Sequence, residues 1–237
     1  VDASKSGNLV NWKAGALYHL TQNGNVYVNY AISQQPPGGS NFALAAGGTG
    51  NSANRTDFKP QKAKTSEIGT KWEVLDKRLL LSAALFRTDI ENDVEANDDG
   101  TYSQYGTKRV EGYELSVAGN ITPEWQVIGG FTQQRATVRA GANVAQDGSA
   151  SLPYTPEHAF TLWNQYQATD ALSVGAGARY IGSMHRGSDG AVGTPSFTES
   201  YWVADARLGY RVNSNLDLQL NVYNLFDTDY VASINKS

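Results

Sequence analysis

Near the end of the chain Leu216, Leu218, Leu220 and Val222 alternate with Asp217, Gln219 and Asn221, so the aliphatic side chains fall on one face of a strand. The same period of two runs through Trp202, Ala204, Ala206, Leu208 and Tyr210 against Asp205, Arg207 and Arg211. It recurs in Leu172, Val174, Ala176, Ala178 and Tyr180 against Ser173, Gly175, Gly177 and Arg179. Earlier copies are Trp125, Val127 and Phe131 against Gln126, Thr132 and Gln134, and Ile68, Trp72 and Val74 against Glu67, Lys71 and Glu73. The pattern predicts ten strands, over 8–20, 25–34, 63–75, 78–93, 104–119, 124–139, 156–168, 171–185, 198–211 and 216–226.

Tight connections at Gln22-Asn23-Gly24, Asp76-Lys77, Thr122-Pro123, Thr169-Asp170 and Ser214-Asn215 alternate with long ones. The unit is a long hairpin repeated roughly every 45 to 53 residues. Strands of soluble sandwiches are typically 5–6 residues long, and these segments exceed that. Membrane-spanning strands need about 9–11 residues, with short turns on one side, long loops on the other and aromatic girdles near both interfaces. Trp12, Tyr18, Trp72, Trp125, Tyr210 and Tyr223 stand towards strand ends, as girdle residues should. The fold class is therefore all-β, an antiparallel up-and-down transmembrane β-barrel. The long connections, 35–62, 94–103, 140–155 and 186–197, are rich in Gly, Asn, Ser, Pro or acidic residues and read as surface loops suited to recognition.

Composition narrows the function classes. Mean hydropathy is −0.44 and no stretch reaches 18 apolar residues, which excludes a transmembrane helix but not a barrel of alternating strands. The net charge of −4 argues against a nucleic-acid partner. With no cysteine, thiolate metal sites, disulfides and cysteine nucleophiles drop out. No local arrangement of Ser, His and Asp has a catalytic signature, so an enzyme is not expected. Gly175-Ala176-Gly177-Ala178 lies inside a strand and is no dinucleotide fingerprint.

Asn224-Leu225-Phe226-Asp227 followed by Tyr230, Val110-Glu111-Gly112-Tyr113-Glu114-Leu115 before Asn120-Ile121-Thr122-Pro123, and Ser66-Glu67-Ile68-Gly69-Thr70-Lys71-Trp72 before Leu75-Asp76-Lys77-Arg78 resemble TonB-dependent outer-membrane receptors. Leu152-Pro153-Tyr154-Thr155-Pro156-Glu157-His158 and Tyr180-Ile181-Gly182-Ser183-Met184-His185 resemble the siderophore-receptor branch, and the chain as a whole is similar to its catecholate receptors. The resemblance implies a 22-stranded barrel filled by a plug, import of a ferric siderophore as transported ligand with no resident cofactor, and energy delivered by TonB through an N-terminal box. Implied partners are a ferric catecholate, TonB, outer-membrane lipid and lipopolysaccharide. The chain carries no plug or TonB box and ends before the final aromatic-tipped strand, so residues 1–237 are expected to be an internal part of a barrel domain. Physics agrees, because strands 8–20 and 216–226 would otherwise be open edges in hydrocarbon.

The expected ligand is anionic and aromatic, and is met by cations for charge and by aromatic rings for stacking. Candidates are Arg55, Phe58 and Lys59 in the first long loop, Tyr102 and Tyr105 in the second, Tyr154 in the third, and His185 and Arg186 in the fourth. For each one, loop packing or a solvated charge is the competing reading. Asp89, Glu91, Asp93, Glu95, Asp98 and Asp99 form an acidic stretch without EF-hand spacing, read as a solvated surface decorated by cations. His19, His158 and His185 are too far apart in sequence for a short metal motif. Arg179, Asp205, Arg207 and Arg211 are expected to face the lumen as structural ion pairs. A passive porin-like or adhesive barrel is the alternative function.

Overall fold

A computed structural model describes residues 6–36, 55–96, 101–187 and 193–232, leaving out the side chains of 95, 96, 103 and 105. The chain forms β1 (Trp12–Thr21), β2 (Gly24–Gln35), β3 (Gln61–Val74), β4 (Leu79–Ala96), β5 (Tyr102–Asn120), β6 (Trp125–Ala140), β7 (His158–Gln167), β8 (Leu172–Ile181), β9 (Met184–His185), β10 (Phe197–Thr198), β11 (Tyr201–Asn213) and β12 (Leu216–Val222). Ten of these make one sheet in the order β1-β2-β3-β4-β5-β6-β7-β8-β11-β12, every neighbour antiparallel. β9 and β10 pair separately in the fourth long loop. The sheet is an open arc of barrel wall, with β1 and β12 at its edges.

Several boundaries differ from the sequence reading. The strand expected over 171–185 stops at Ile181, where the Gly182 N–H donates to the His158 carbonyl at 2.8 Å and the chain turns into β9. The strand expected to reach 226 stops at Val222, because Asn224 takes φ 50° and its side chain closes a turn onto Thr228. β1 starts at Trp12, where its pairing with β2 begins, and β4 and β5 extend beyond the expected ends to 96 and 102. Positions 97–100, including Asp98 and Asp99, and 37–54 of the first long loop lie outside the described residues.

Register decides which side chains share a face, since directly paired residues point the same way. One row runs Val28, Ile68, Leu85 and Tyr113, and another runs Tyr166, Val174, Leu208 and Leu220. Leu85 is 60% and Leu220 59% exposed, and such a continuous apolar surface is intolerable in water but suits lipid. Aromatic side chains border it on both sides. Near the long loops stand Trp12, Tyr30, Tyr113, Phe131, Phe160, Tyr180 and Trp202, with ring centroids 5.0 Å apart for Tyr180 and Trp202 and 5.8 Å for Tyr113 and Phe131. Near the tight turns stand Tyr18, Trp72, Trp125, Tyr166 and Tyr210. Indole N–H groups on this face still need acceptors. Trp72 donates to the Thr70 hydroxyl at 2.8 Å and Trp125 to the Asn164 carbonyl oxygen at 3.1 Å, which accounts for an asparagine facing lipid.

The opposite face carries Asp205, Arg207 and Arg179, as the alternation predicts. Arg179 lies 3.8 Å from Asp205, and Arg207 donates to Gln165 at 3.1 Å. Trp163 also faces this side, packed flat over two glycines of β8. A Cβ added at Gly175 would come within 2.7 Å of the indole, and one at Gly177 within 2.5 Å. The glycines therefore make the groove that seats the ring.

Leu220→Arg is expected to destabilise the membrane-inserted barrel by about 2–4 kcal/mol, whereas Gln219→Arg, on the lumen side, costs little. Urea unfolding of the full-length protein in lipid vesicles checks the contrast, and equal costs would contradict the assigned faces.

Candidate functional site

The long connections leave the sheet at one end, so the candidate residues gather on one rim in two separate clusters. The first sits over β3, β4 and β5. Phe58 is only 5% exposed, Arg55 lies over its ring at 5.0 Å, and the same guanidinium forks onto Asp57. That fork holds the Arg55 pKa above its ordinary value. Lys59 is held by its backbone. Its N–H donates to Gln104 Oε1 at 2.6 Å, while Gln104 Nε2 donates to the carbonyls of Lys59, at 2.6 Å, and Asn92, at 3.0 Å. Asn92, at φ 59°, in turn donates to the Pro60 carbonyl at 3.0 Å. The base of the first loop is thus stapled to the β4–β5 hairpin by amide side chains. Tyr102 is half-buried at the start of β5, and the side chain of Tyr105 lies outside the described residues.

The second cluster joins the third and fourth loops. The third loop folds back over β6, with Val138 N–H donating to the Ala150 carbonyl and Leu152 N–H to that of Ala136. It then meets the fourth loop. Tyr154 N–H donates to the His185 carbonyl at 2.9 Å, Gln146 N–H to the Arg186 carbonyl at 2.8 Å, and Ala145 bridges Gly187. Asp147 Oδ2 lies 3.0 Å from His185 Nδ1. Arg186 is 4% exposed, with its guanidinium on the Thr194 hydroxyl. Tyr154 has φ 58°, a left-handed conformation that costs a bulky residue of order 1–3 kcal/mol and persists only where surrounding contacts enforce it.

Phe58 and Arg186 are therefore packed into the loops, as the competing reading of each allowed, whereas Tyr154 and His185 stand at the junction of two loops. Gln104, Asn92 and Asp147, which hold this arrangement, carry no sequence signal. Part of the acidic stretch is neutralised by protein cations instead of solvent ions. Asp89 binds Arg87 and Arg109, Glu91 binds Lys64, and Asp93 binds Lys108. Among the described residues no group of three acidic or histidine side chains is placed to hold a metal.

The Asp147 carboxyl is held below its ordinary value of 3.8, first by the Ser149 backbone N–H at 2.9 Å, then by the Ser149 hydroxyl and the charge of His185. A lowered carboxylate pKa contributes stability above the ordinary value, and that contribution is lost as pH falls through the lowered one. Hydrogen-exchange protection of the Ser149 amide should thus hold at neutral pH and fall below about pH 3.8. In Asp147→Asn that acid-side loss should vanish, and an unchanged profile would contradict the contact.

The family model described as TonB dependent receptor-like, beta-barrel, matches residues 1–225. The chain is 86% identical over 237 residues to the catecholate siderophore receptor Fiu of Escherichia coli O157:H7, covering all of this chain and 31% of that protein. It is 36% identical to the probable TonB-dependent siderophore receptor PiuA of Acinetobacter baumannii, over 96% of this chain and 31% of that protein. The crystal structure of the ferric-catecholate import receptor Fiu from E. coli K12, closed form, superimposes with a TM-score of 0.94 at 85% identity, over all of this chain and 33% of that one. The chain thus spans about a third of the length of the curated relatives it matches. With its two-faced sheet, double aromatic border and one-sided long loops, the chain belongs to the TonB-dependent receptor family of outer-membrane β-barrels.

Proposed function

We propose that the chain forms wall and rim of an outer-membrane receptor that imports ferric catecholate siderophores with energy delivered through TonB. The observation that carries this reading is the 86% identity to a catecholate siderophore receptor across the full chain, long loops included. The rim chemistry is consistent with it. Cationic and aromatic side chains, Arg55 and Lys59 over one set of strands and Tyr154 and His185 over another, suit a ligand that is both anionic and aromatic. Iron is cargo already wrapped by its siderophore, so the rim has to recognise catechol rings and negative charge and supplies no metal ligands. Outer-membrane lipid and lipopolysaccharide surround the wall.

Tyr154 is the side chain proposed to touch the ligand, because its strained backbone holds the ring at a junction that two loops must form together. Tyr154→Gly keeps the left-handed conformation without strain and removes only the ring. In the full receptor it is expected to weaken ferric-catecholate binding about tenfold, equivalent to about 1.4 kcal/mol, read as quenching of intrinsic fluorescence. Unchanged affinity would remove Tyr154 from the site. Uptake of the ferric catecholate that continued in cells lacking TonB would replace the whole proposal with the passive barrel.

A further inference from the structure

The lumen side of the wall is not uniform around the arc. Register puts Tyr201, Asp205, Arg207 and Arg211 of β11 on the inward face, with Arg179 of β8 and Trp163 of β7 in the same rows. From the long loops towards the tight turns the order is Tyr201, with the Tyr230 ring stacked on it at 4.4 Å, then Arg179, Trp163, Arg207 and Arg211. The stretch from Tyr201 to Arg211, on a strand tilted about 45°, rises roughly 24 Å, most of the about 30 Å of hydrocarbon. Aromatic rings and guanidiniums therefore mark this sector from the rim to the inner end. Across the arc, on β3 and β5, the inward rows carry Glu67 and Glu114 instead, and Lys71 lies over the Tyr27 ring at 5.5 Å.

The middle of the sector is organised around Gly175. Trp163 lies against Gly175 and Gly177 on one face of its ring, which leaves the other face to the lumen. A Cβ added at Gly175 would come within 2.7 Å of the indole and 3.4 Å of the Arg207 Cβ, so ring and guanidinium stem flank the same glycine. Arg207 donates to the neutral Gln165 amide at 3.1 Å, and its Nε has no hydrogen-bond partner among the described residues. The arginines above and below it are matched by acid, Arg179 with Asp205 at 3.8 Å and Arg211 with Asp217 at 3.4 Å. Among the described residues Arg207 is thus the arginine of this sector with no paired carboxylate. It stands at the depth of Val174 and Leu208 on the lipid side, where a charge without a counterion is costly. An anion that also presents an aromatic face answers both groups at once, by charge on the guanidinium and by stacking on the indole.

We infer that the lumen wall of β7, β8 and β11 is the side along which the ferric catecholate passes through the barrel, with Trp163 and Arg207 as a transit site for it at mid-membrane depth. Trp163 stacks on a catechol ring and Arg207 meets the negative charge of the complex. Gln165 is a positioning residue that holds the guanidinium beside the ring. The transit site lies below the rim and acts after capture, so it sets the rate of passage and not affinity at the surface. The inference rests on the import function proposed above and adds the route to it.

The test uses the full-length receptor in whole cells, supplied with a ferric catecholate carrying radioactive iron. In the double variant Trp163→Leu, Arg207→Gln, uptake at saturating ligand is expected to fall about tenfold, as a barrier raised by about 1.4 kcal/mol would give. Affinity at the surface of energy-depleted cells is expected to stay within about twofold, which also reports that the barrel is folded. A benzophenone side chain placed at Thr161, one inward step above Trp163, is expected to photo-crosslink the catecholate in energised cells and not in cells lacking TonB. The same probe at Ser82, inward on β4, is expected to give no adduct. Any other pattern of adducts, or an undiminished uptake rate in the double variant, would overturn the route. Entry of vancomycin through the double variant would show that Arg207 holds the lumen closed, and would equally overturn it. Absence of uptake by wild type would overturn the import reading together with this one, whereas normal wild-type uptake with an unchanged rate in the variant would overturn this one alone.

Discussion

Hydrocarbon offers no hydrogen-bond partner, so every backbone N–H and C=O in the wall must be met by a neighbouring strand. From that constraint the rest of the molecule follows. The strands must pair continuously, which they do across ten members, and their side chains must then divide between lipid and lumen with a period of two. Apolar residues fill the lipid side, aromatic rings mark its two borders, and polar or small residues such as Arg179, Asp205, Gly175 and Gly177 are left to the other face. The connections can then be costly only where water is present. On one side they shrink to turns as tight as Leu75-Asp76-Lys77, three successive residues at positive φ closed by the Arg78 N–H on the Leu75 carbonyl, and on the other they expand into loops.

The loops are shaped by the same accounting of polar groups. Away from the sheet their backbones have no ladder to join, and side-chain amides take its place, as Gln104 and Asn92 do for the base of the first loop. The third and fourth loops find partners in one another, through Tyr154 with His185 and Gln146 with Arg186. The shape of this rim therefore depends on pairs of loops acting together, and a side chain such as Tyr154 is positioned by contacts made by residues distant in sequence.

Much of the wall was legible from alternation because a two-sided strand in a membrane has no freedom to violate it. Leu216 to Val222 reads as lipid-facing alternation from seven residues, and the structure pairs Leu220 with Leu208 and Leu218 with Tyr210 accordingly. What escaped was set by tertiary contact. The early end of β12 depends on Asn224 folding back on Thr228, and the break after Ile181 on a hydrogen bond to His158, neither of which has a local period. Trp163 reads as an ordinary aromatic until the glycines opposite it are seen to form its seat. At the rim, residue type marked candidate positions but not the surroundings that hold them. Phe58 and Arg186 turned out buried, and the acidic run of β4 is matched by Lys64, Arg87, Arg109 and Lys108 on the register, which no one-dimensional pattern displays.

The two-faced wall is the claim on which all else rests, and this stretch of chain contains no cysteine to interfere with a labelling scan. Single cysteines placed one at a time from Leu81 to Phe86 in the full receptor, spin-labelled in lipid vesicles, report whether each site is reached by oxygen dissolved in lipid or by a nickel complex in water. Oxygen should reach 81, 83 and 85 and nickel 82, 84 and 86, in strict alternation. Uniform access to either probe along the six positions would contradict the barrel wall and the outward and inward faces drawn from it.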